Sequence, residues 1–231
     1  MPPLFEWLAF ASVWLALWVT IYLVKPSLRK EMVVVSLSTM PAALTEPIFI
    51  PAYWNPPSLF NLASIIRLDI EAFIFTFATG GIASVLYEAI LSIKHERLSE
   101  IEVHHERRWL HFGSLISMFI IFPLLVLFTS LNPIYALAIS LFIAAVASNL
   151  CRPDLTKHTW TGGILFAILY FVFFSVLTFI FPDFINAWNL KAISGILIFN
   201  VPVEEIMYAF TFGMFWSTVY EHVVRYGNAK A

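Results

Sequence analysis

The chain has 231 residues, of which 60% are hydrophobic, 17% aromatic and only 12% charged, and its formal net charge is −2. Such a chain lacks the polar surface of a soluble domain, so we predict an integral membrane protein surrounded by lipid. The basic residues are scattered rather than gathered on one face, which argues against nucleic acid as a partner.

Seven apolar runs are each long enough to cross a hydrocarbon core of about 30 Å. In chain order they are Leu4 to Val24, Met32 to Ile50, Ile70 to Ile93, Trp109 to Thr129, Pro133 to Leu150, Trp160 to Phe181 and Ile196 to Val224. The first run lacks the basic start and the cleavage site of a secretory signal, so we expect it to be retained. The sequence therefore predicts an all-α membrane protein with seven transmembrane helices.

The basic residues also predict the orientation of these helices. Of the 13 lysines and arginines, all except Arg67 and Lys191 fall in loops on one side of the predicted membrane. Basic residues are retained on the cytoplasmic side. We therefore predict a protein of the cytoplasmic membrane with its N terminus outside and its C terminus in the cytoplasm.

The third and seventh runs are variants of one helix. Residues 69–88 align without gaps on residues 202–221. The identical pairs include Glu71/Glu204, Phe77/Phe210, Gly80/Gly213, Ser84/Ser217, Tyr87/Tyr220 and Glu88/Glu221. The simplest explanation is a duplicated unit.

Two shorter echoes extend the duplication. Lys25-Pro26 after the first run resembles Arg152-Pro153 after the fifth, and Trp54-Asn55 resembles Trp188-Asn189. We predict two parallel three-helix repeats, at residues 1–93 and 133–231, joined by a cytoplasmic loop and a linker helix at residues 94–132. A site between the repeats is expected, and homo-oligomerisation is left open.

Acidic residues open both copies of the repeated helix. Because an ionisable group in hydrocarbon is costly, Glu71, Glu204 and Glu205 are candidate catalytic residues. A structural interpretation also exists, since Asp69 suits an N-cap and acids favour the start of a helix. Phe75 shares a helix face with Glu71, as Tyr208 does with Glu204. If these faces meet, the carboxyls converge in a pocket lined by rings.

Other residues of the repeated helix receive structural interpretations. Gly80 and Gly213 are predicted to permit close helix packing. Glu88 and Glu221 stand at the cytoplasmic ends, where we expect them to reach the water of the headgroup region. These four residues are therefore not expected to take part in the chemistry.

No metal site and no cofactor are expected. Cys151 is the only cysteine, and the chain contains no glycine-rich nucleotide-binding motif. A charged cytoplasmic loop contains His95, Glu96, His104, His105 and Glu106. We interpret these side chains as solvated, because their spacing matches no metal-binding motif.

A buried acid beside aromatic rings suits the protonation of an alkene. Ring faces stabilise the resulting carbocation, and a neighbouring carboxylate takes a proton back. The net reaction is an isomerisation that needs neither hydride nor phosphate.

The duplication and the Pro202-Val203-Glu204-Glu205 segment resemble the membrane lycopene cyclases of the heterodimeric or fused two-copy type, which carry a P-x-E-[ED] motif at the start of the last span of a copy. The first copy departs from the motif, with Asp69 in place of proline and Ala72 in place of the second acid. The resemblance implies an intramolecular lyase or isomerase that closes the linear end group of a carotenoid or isoprenoid to a β-type ring. It implies Glu204 and Glu205 as acid and base.

Residues that are candidates for binding the apolar polyene are Trp54, Asn55, Phe75, Trp188, Asn189 and Tyr208. The two asparagines are expected either to bind the carboxyls or to cap turns. Other functions remain open: a carotenoid hydratase, a non-catalytic isoprenoid-binding membrane protein, or a proton-coupled transporter of small molecules.

Overall fold

The computed structural model describes residues 5–91, 95–97, 108–224 and 226–228, and this part of the chain is mostly helical. The α-helices are α1 Glu6–Val24, α2 Arg29–Thr39, α3 Glu46–Phe49, α4 Leu62–Ile66, α5 Ile70–Leu91, α6 Arg108–Phe128, α7 Pro133–Cys151, α8 Thr156–Ile180 and α9 Val203–Val224. Short strands are β1 His95–Arg97, β2 Leu197–Ile198, β3 Val201–Pro202 and β4 Tyr226–Asn228. β1 pairs antiparallel with β4, and β2 with β3. His104, His105 and Glu106 lie outside the described residues.

Five helical segments among the described residues are long and apolar enough to cross a membrane. They are Glu6–Val24, Pro26–Phe49, Ile70–Leu91, Pro133–Cys151 and Pro153–Ile180. These correspond to the first, second, third, fifth and sixth predicted runs. Helices α6 and α9 occupy the positions of the fourth and seventh runs, and a total of seven crossings stays a prediction.

Two of the predicted runs are not single helices. The run from Met32 to Ile50 is divided into α2, a 3-10 segment at Met40–Thr45 and the short α3. Pro41 and Pro47 lack the backbone N–H that a continuous α-helix would use there. The seventh run begins as the β2–β3 hairpin, and its helix starts only at Val203.

Helix starts follow local sequence signals. The carboxylate of Asp69 accepts a hydrogen bond from the amide of Ala72 at 2.7 Å, which confirms the predicted N-cap of α5. The side chain of Asn132 accepts from the amide of Ile134 at the start of α7, where Pro133 stands in the first turn.

Helices α5 and α9 pack against each other, α5 also against α1 and α2, and α9 also against α7 and α8. Glycines permit these approaches, as predicted. A Cβ atom added to Gly80 would lie 2.0 Å from the hydroxyl oxygen of Thr39 on α2. One added to Gly213 would lie 2.6 Å from Cβ of Phe166 on α8.

The loops before α5 and α9 join at a single point. Trp54 and Trp188 form an antiparallel bridge. The amide of Asn55 donates to the carbonyl of the residue before Trp188, and the amide of Asn189 donates to the carbonyl of the residue before Trp54, both at 2.7 Å. We call the nearby end of the bundle, where α5 and α9 begin, the Glu205 end. The opposite end, where α8 begins, is the His158 end.

The acids at the His158 end contradict the sequence-based expectation. Glu88 is 2% exposed and Glu221 is completely buried, so neither reaches headgroup water. Their neighbours Tyr87 and Tyr220 are also buried. The sequence could not reveal this, because the covering groups come from α2 and α8.

Candidate functional site

A cavity of about 130 Å³ lies at the Glu205 end, with walls from the first and the second half of the chain. Its polar members include two carboxyls, those of Glu46 and Glu205. The ring-bearing residues that line it are Trp7, Phe49, Tyr53, Trp54, Phe75, Tyr170, Phe174 and Tyr208. The cavity is therefore a mainly aromatic chamber that contains carboxyl groups.

Glu205 is held by three side-chain donors. The hydroxyls of Tyr53 and Tyr170 donate to its two carboxylate oxygens, each at 2.7 Å. The indole N–H of Trp188 donates at 2.8 Å to the oxygen that Tyr53 also contacts. Three donors stabilise an ionised carboxylate in a site where only 5% of the residue is exposed.

Tyr53 lies in the loop after α3 and stays a donor across the physiological pH range. Burial raises the pKa of its hydroxyl well above its usual range, and the charge of Glu205 raises it further. This residue was not among the sequence-based candidates, because it lies 152 positions from the carboxylate it contacts. Tyr170 on α8 was missed for the same reason.

The second carboxyl of the cavity, Glu46, was also not among the sequence-based candidates. Its carboxyl accepts a hydrogen bond from the Asp69 amide at 3.1 Å, which makes Asp69 its direct neighbour. Both residues are buried. An acid at the end of an apolar run, next to Pro47, was the available signal.

Asp69 is the better hydrogen-bond acceptor of this pair. Its Oδ1 accepts from the indole of Trp7 at 3.1 Å and from the amide of Ala72 at 2.7 Å. Burial nevertheless raises the pKa of Asp69 from 3.8 to about 6, and the charge of Glu71 contributes to the increase.

Two of the three acids singled out from the sequence lie outside the cavity lining. Glu71 accepts a hydrogen bond at 2.6 Å from the amide of Leu59. Glu204 accepts from the amide of Ser194 at 2.9 Å and from the hydroxyl of Tyr135. Each carboxylate thus binds the backbone of the loop that precedes its helix. The expected convergence of Glu71 and Glu204 on one pocket does not occur, because both turn toward these loops.

The other sequence-based candidates differ in whether they line the cavity. Trp54, Phe75 and Tyr208 line the cavity. Trp188 does not line the cavity, but its indole N–H donates to Glu205. The two asparagines, Asn55 and Asn189, are exposed. The side-chain amide of Asn55 donates to the hydroxyl of Ser64 on α4, and that of Asn189 donates to the backbone carbonyl of Pro51.

The rings around the cavity contact one another. Trp7 lies edge-on to Trp54 with centroids 4.9 Å apart, and its centroid is 5.1 Å from that of Phe75. Tyr170 lies edge-on to Phe75 and to Tyr208, at 6.2 and 6.0 Å. These contacts order the ring faces and edges that a bound apolar molecule would meet.

The part of the chain that contains Glu205 matches a known protein family. Residues 132–223 match the sequence model of a family described as Lycopene cyclase. No curated protein and no solved structure gave a match. The matched segment contains Glu205 together with its partners Tyr170 and Trp188, so the part of the chain that holds this carboxylate is similar to lycopene cyclases.

Proposed function

We propose that this protein is a carotenoid or isoprenoid cyclase that closes the end group of a linear polyene by proton-initiated, non-redox chemistry. The observation that carries the proposal is the carboxylate of Glu205, held by three donors at the wall of an aromatic cavity. The match of residues 132–223 to the lycopene cyclase family model supports it. The substrate is an apolar polyene that enters from the surrounding lipid.

Glu205 acts as the base and as the counter-charge of the cation. Its three donors offset part of the cost of burying the ionised form, which suits a base better than the donor of the first proton. A carboxylate beside the cavity attracts a developing carbocation, and Phe75 and Tyr208 offer ring faces and edges nearby.

Glu46 supplies the first proton. Glu46 and Asp69 are buried neighbours, and two adjacent buried carboxylates repel each other, so one of the pair keeps a proton. Asp69 already accepts from Trp7 and Ala72, which favours its ionised form and leaves the proton on Glu46. Only Glu46 of this pair lines the cavity.

The reaction balances without a cofactor. Glu46 protonates the terminal alkene, which leaves a tertiary cation. A second alkene of the same chain attacks that cation, forming one carbon–carbon bond and moving the charge into the new ring. Glu205 removes a proton beside the new cation and restores a double bond, so the product is an isomer of the substrate.

The two-copy architecture, with units 1–93 and 133–231 and a linker at 94–132, is part of the proposal. It is supported by the Trp54–Trp188 bridge and by the matching roles of Glu71 and Glu204 at their loops. On this arrangement the cavity lies between the copies. The charge pattern of the loops supports an outside N terminus and a cytoplasmic C terminus.

The test is expression in a bacterium that accumulates lycopene, with extracted carotenoids resolved by chromatography and mass. Wild-type protein is expected to give cyclic products of unchanged mass, and Glu205→Gln at equal abundance is expected to leave lycopene unreacted. Products heavier by one water would replace the cyclase with a hydratase. Unreacted lycopene with folded wild-type protein would exclude lycopene as the substrate.

A further inference from the structure

A second cluster of ionisable side chains lies at the His158 end, away from the cavity. Its members are Glu31 on α2, Glu88 on α5, His158 on α8 and Glu221 on α9. The four residues are between 0% and 4% exposed. The cavity chemistry uses none of them, and each comes from a different helix.

Three of these side chains come close enough to share one ion. Glu88, His158 and Glu221 each offer a ligand atom, and these atoms lie within 4.8 Å of one another. An imidazole nitrogen of His158 lies 3.1 Å from a carboxylate oxygen of Glu88. Tetrahedral ligands at about 2.1 Å from a zinc ion stand about 3.4 Å apart, so small side-chain rotations close the triad around an ion.

Glu31 adds a fourth buried acid near the triad. Its charge interacts with those of Glu221 and Glu88, and its Oε1 is buried without a hydrogen-bond partner. Such a buried acceptor costs free energy unless a donor or a cation meets it. This unpartnered oxygen is a separate observation that favours a bound ligand at the His158 end.

The imidazole of His158 is held in a fixed orientation. Its ring stacks on that of Tyr87 with centroids 4.1 Å apart and an interplanar angle of 21°. Metal-binding histidines commonly have neighbouring groups that fix the orientation of the ring, most often through a hydrogen bond.

The charge of the cluster also favours a cation. Three carboxyls within a buried group repel one another when ionised. Arg152 forms a bidentate ion pair with Asp154 and donates a 3.4 Å hydrogen bond to the backbone oxygen of Glu221. A divalent cation would offset two of the three negative charges.

We propose that Glu88, His158 and Glu221, assisted by Glu31, form a binding site for a divalent transition-metal ion. One imidazole with carboxylates is a donor set that suits Zn²⁺ and Mn²⁺. The ion joins helices from both halves of the chain at the end opposite the cavity. Its role is structural, because it lies apart from Glu205 and Glu46.

The test is metal analysis of the full chain, purified in detergent without chelators. Plasma mass spectrometry is expected to find about one divalent transition-metal ion per chain. After chelator treatment, added Zn²⁺ or Mn²⁺ is expected to bind saturably and to raise Tm, as any ligand that binds only the folded state does. The absence of both retained metal and saturable binding would overturn the proposal.

Two variants and a matched control test whether the metal ion binds at this cluster. His158→Asn and Glu221→Gln are expected to weaken binding at least about 100-fold, since loss of outer-shell partners alone costs about 10- to 100-fold. His222→Asn is the matched control, because it removes a buried imidazole one residue from Glu221 and outside the triad. Equal binding by all three variants would refute the site.

A measurement on the unmutated protein covers the case in which the variants do not fold. Pulsed electron paramagnetic resonance of bound Mn²⁺ is expected to show hyperfine coupling to one histidine nitrogen. Mn²⁺ without nitrogen coupling would mean that the ion binds elsewhere. None of these readouts depends on cyclase activity, so the two proposals can fail separately.

Discussion

Glu204 and Glu205 are adjacent in the chain and serve different parts of the molecule. The carboxylate of Glu205 accepts hydrogen bonds from two tyrosines and a tryptophan at the cavity wall, whereas Glu204 accepts from the amide of Ser194 in the preceding loop. Successive residues of a helix point about 100° apart. One glutamate thus faces the cavity, and the other holds a loop.

The first prediction separates these neighbours. Glu205→Gln keeps one of the two acceptor oxygens but cannot take up a proton, so cyclisation is expected to fall about 100-fold or more. Glu204→Gln still accepts from Ser194 and is expected to keep most of the activity. Product per unit of folded protein in the lycopene-accumulating host is the measurement. A larger loss in Glu204→Gln would reverse the assignment.

The second prediction concerns the proton donor. Glu46→Gln removes the acidic proton that faces the cavity, and cyclisation is expected to fall about 100-fold or more. The matched control is Glu71→Gln, which changes a buried acid of the same region that lies outside the cavity lining. The same product assay applies, and a wild-type rate in Glu46→Gln would remove Glu46 from the mechanism.

The third prediction tests the donors around Glu205. Tyr53→Phe and Tyr170→Phe each remove one hydrogen bond to a charged group, worth about 1.5–3 kcal/mol. Each is expected to lower the cyclisation rate roughly tenfold or more. Tyr135→Phe removes the matching donor from Glu204 and is expected to leave the rate near that of the wild type. Equal effects of all three variants would indicate a general loss of folding instead.

The fourth prediction concerns helix packing. In Gly213→Ala the new methyl group meets Cβ of Phe166 and the backbone of Gly162 and Gly163, so we expect a loss of about 1–3 kcal/mol of stability. Gly113→Ala is the control, since a Cβ there has no heavy atom within 4 Å and alanine favours a helix by about 0.5–1 kcal/mol. Thermal unfolding in detergent compares the two, and equal Tm values would contradict the close packing.

The fifth prediction is a pH dependence. The pKa of Asp69 rises from 3.8 to about 6 on folding, so the folded state binds this proton more tightly than the unfolded state. Its contribution to stability is therefore fully present below pH 3.8 and lost as the pH rises through about 6. Asp69→Asn keeps the N-cap and does not titrate. The wild-type Tm is expected to fall relative to that of Asp69→Asn between about pH 4 and 7, and a constant difference would contradict the shift.

The chain by itself determined the membrane character, the positions of most helices, the N-cap at Asp69, the small residues at helix contacts and the resemblance to lycopene cyclases. These features depend on local hydropathy, on residues a few positions apart or on a motif within one segment. Glu205 was also found in this way, because an acid at the start of an apolar helix stands out in the sequence.

Only the tertiary structure decided which carboxyls share a site. Glu46 joins Glu205 because α3 and α9 meet at one cavity, and Tyr53 reaches Glu205 across 152 residues. Likewise, Glu88 and Glu221 become a buried cluster with His158 through the packing of separate helices. Hydropathy marks where a helix runs, whereas the neighbours of a side chain are set by helix rotation and loop pairing, which depend on the whole fold.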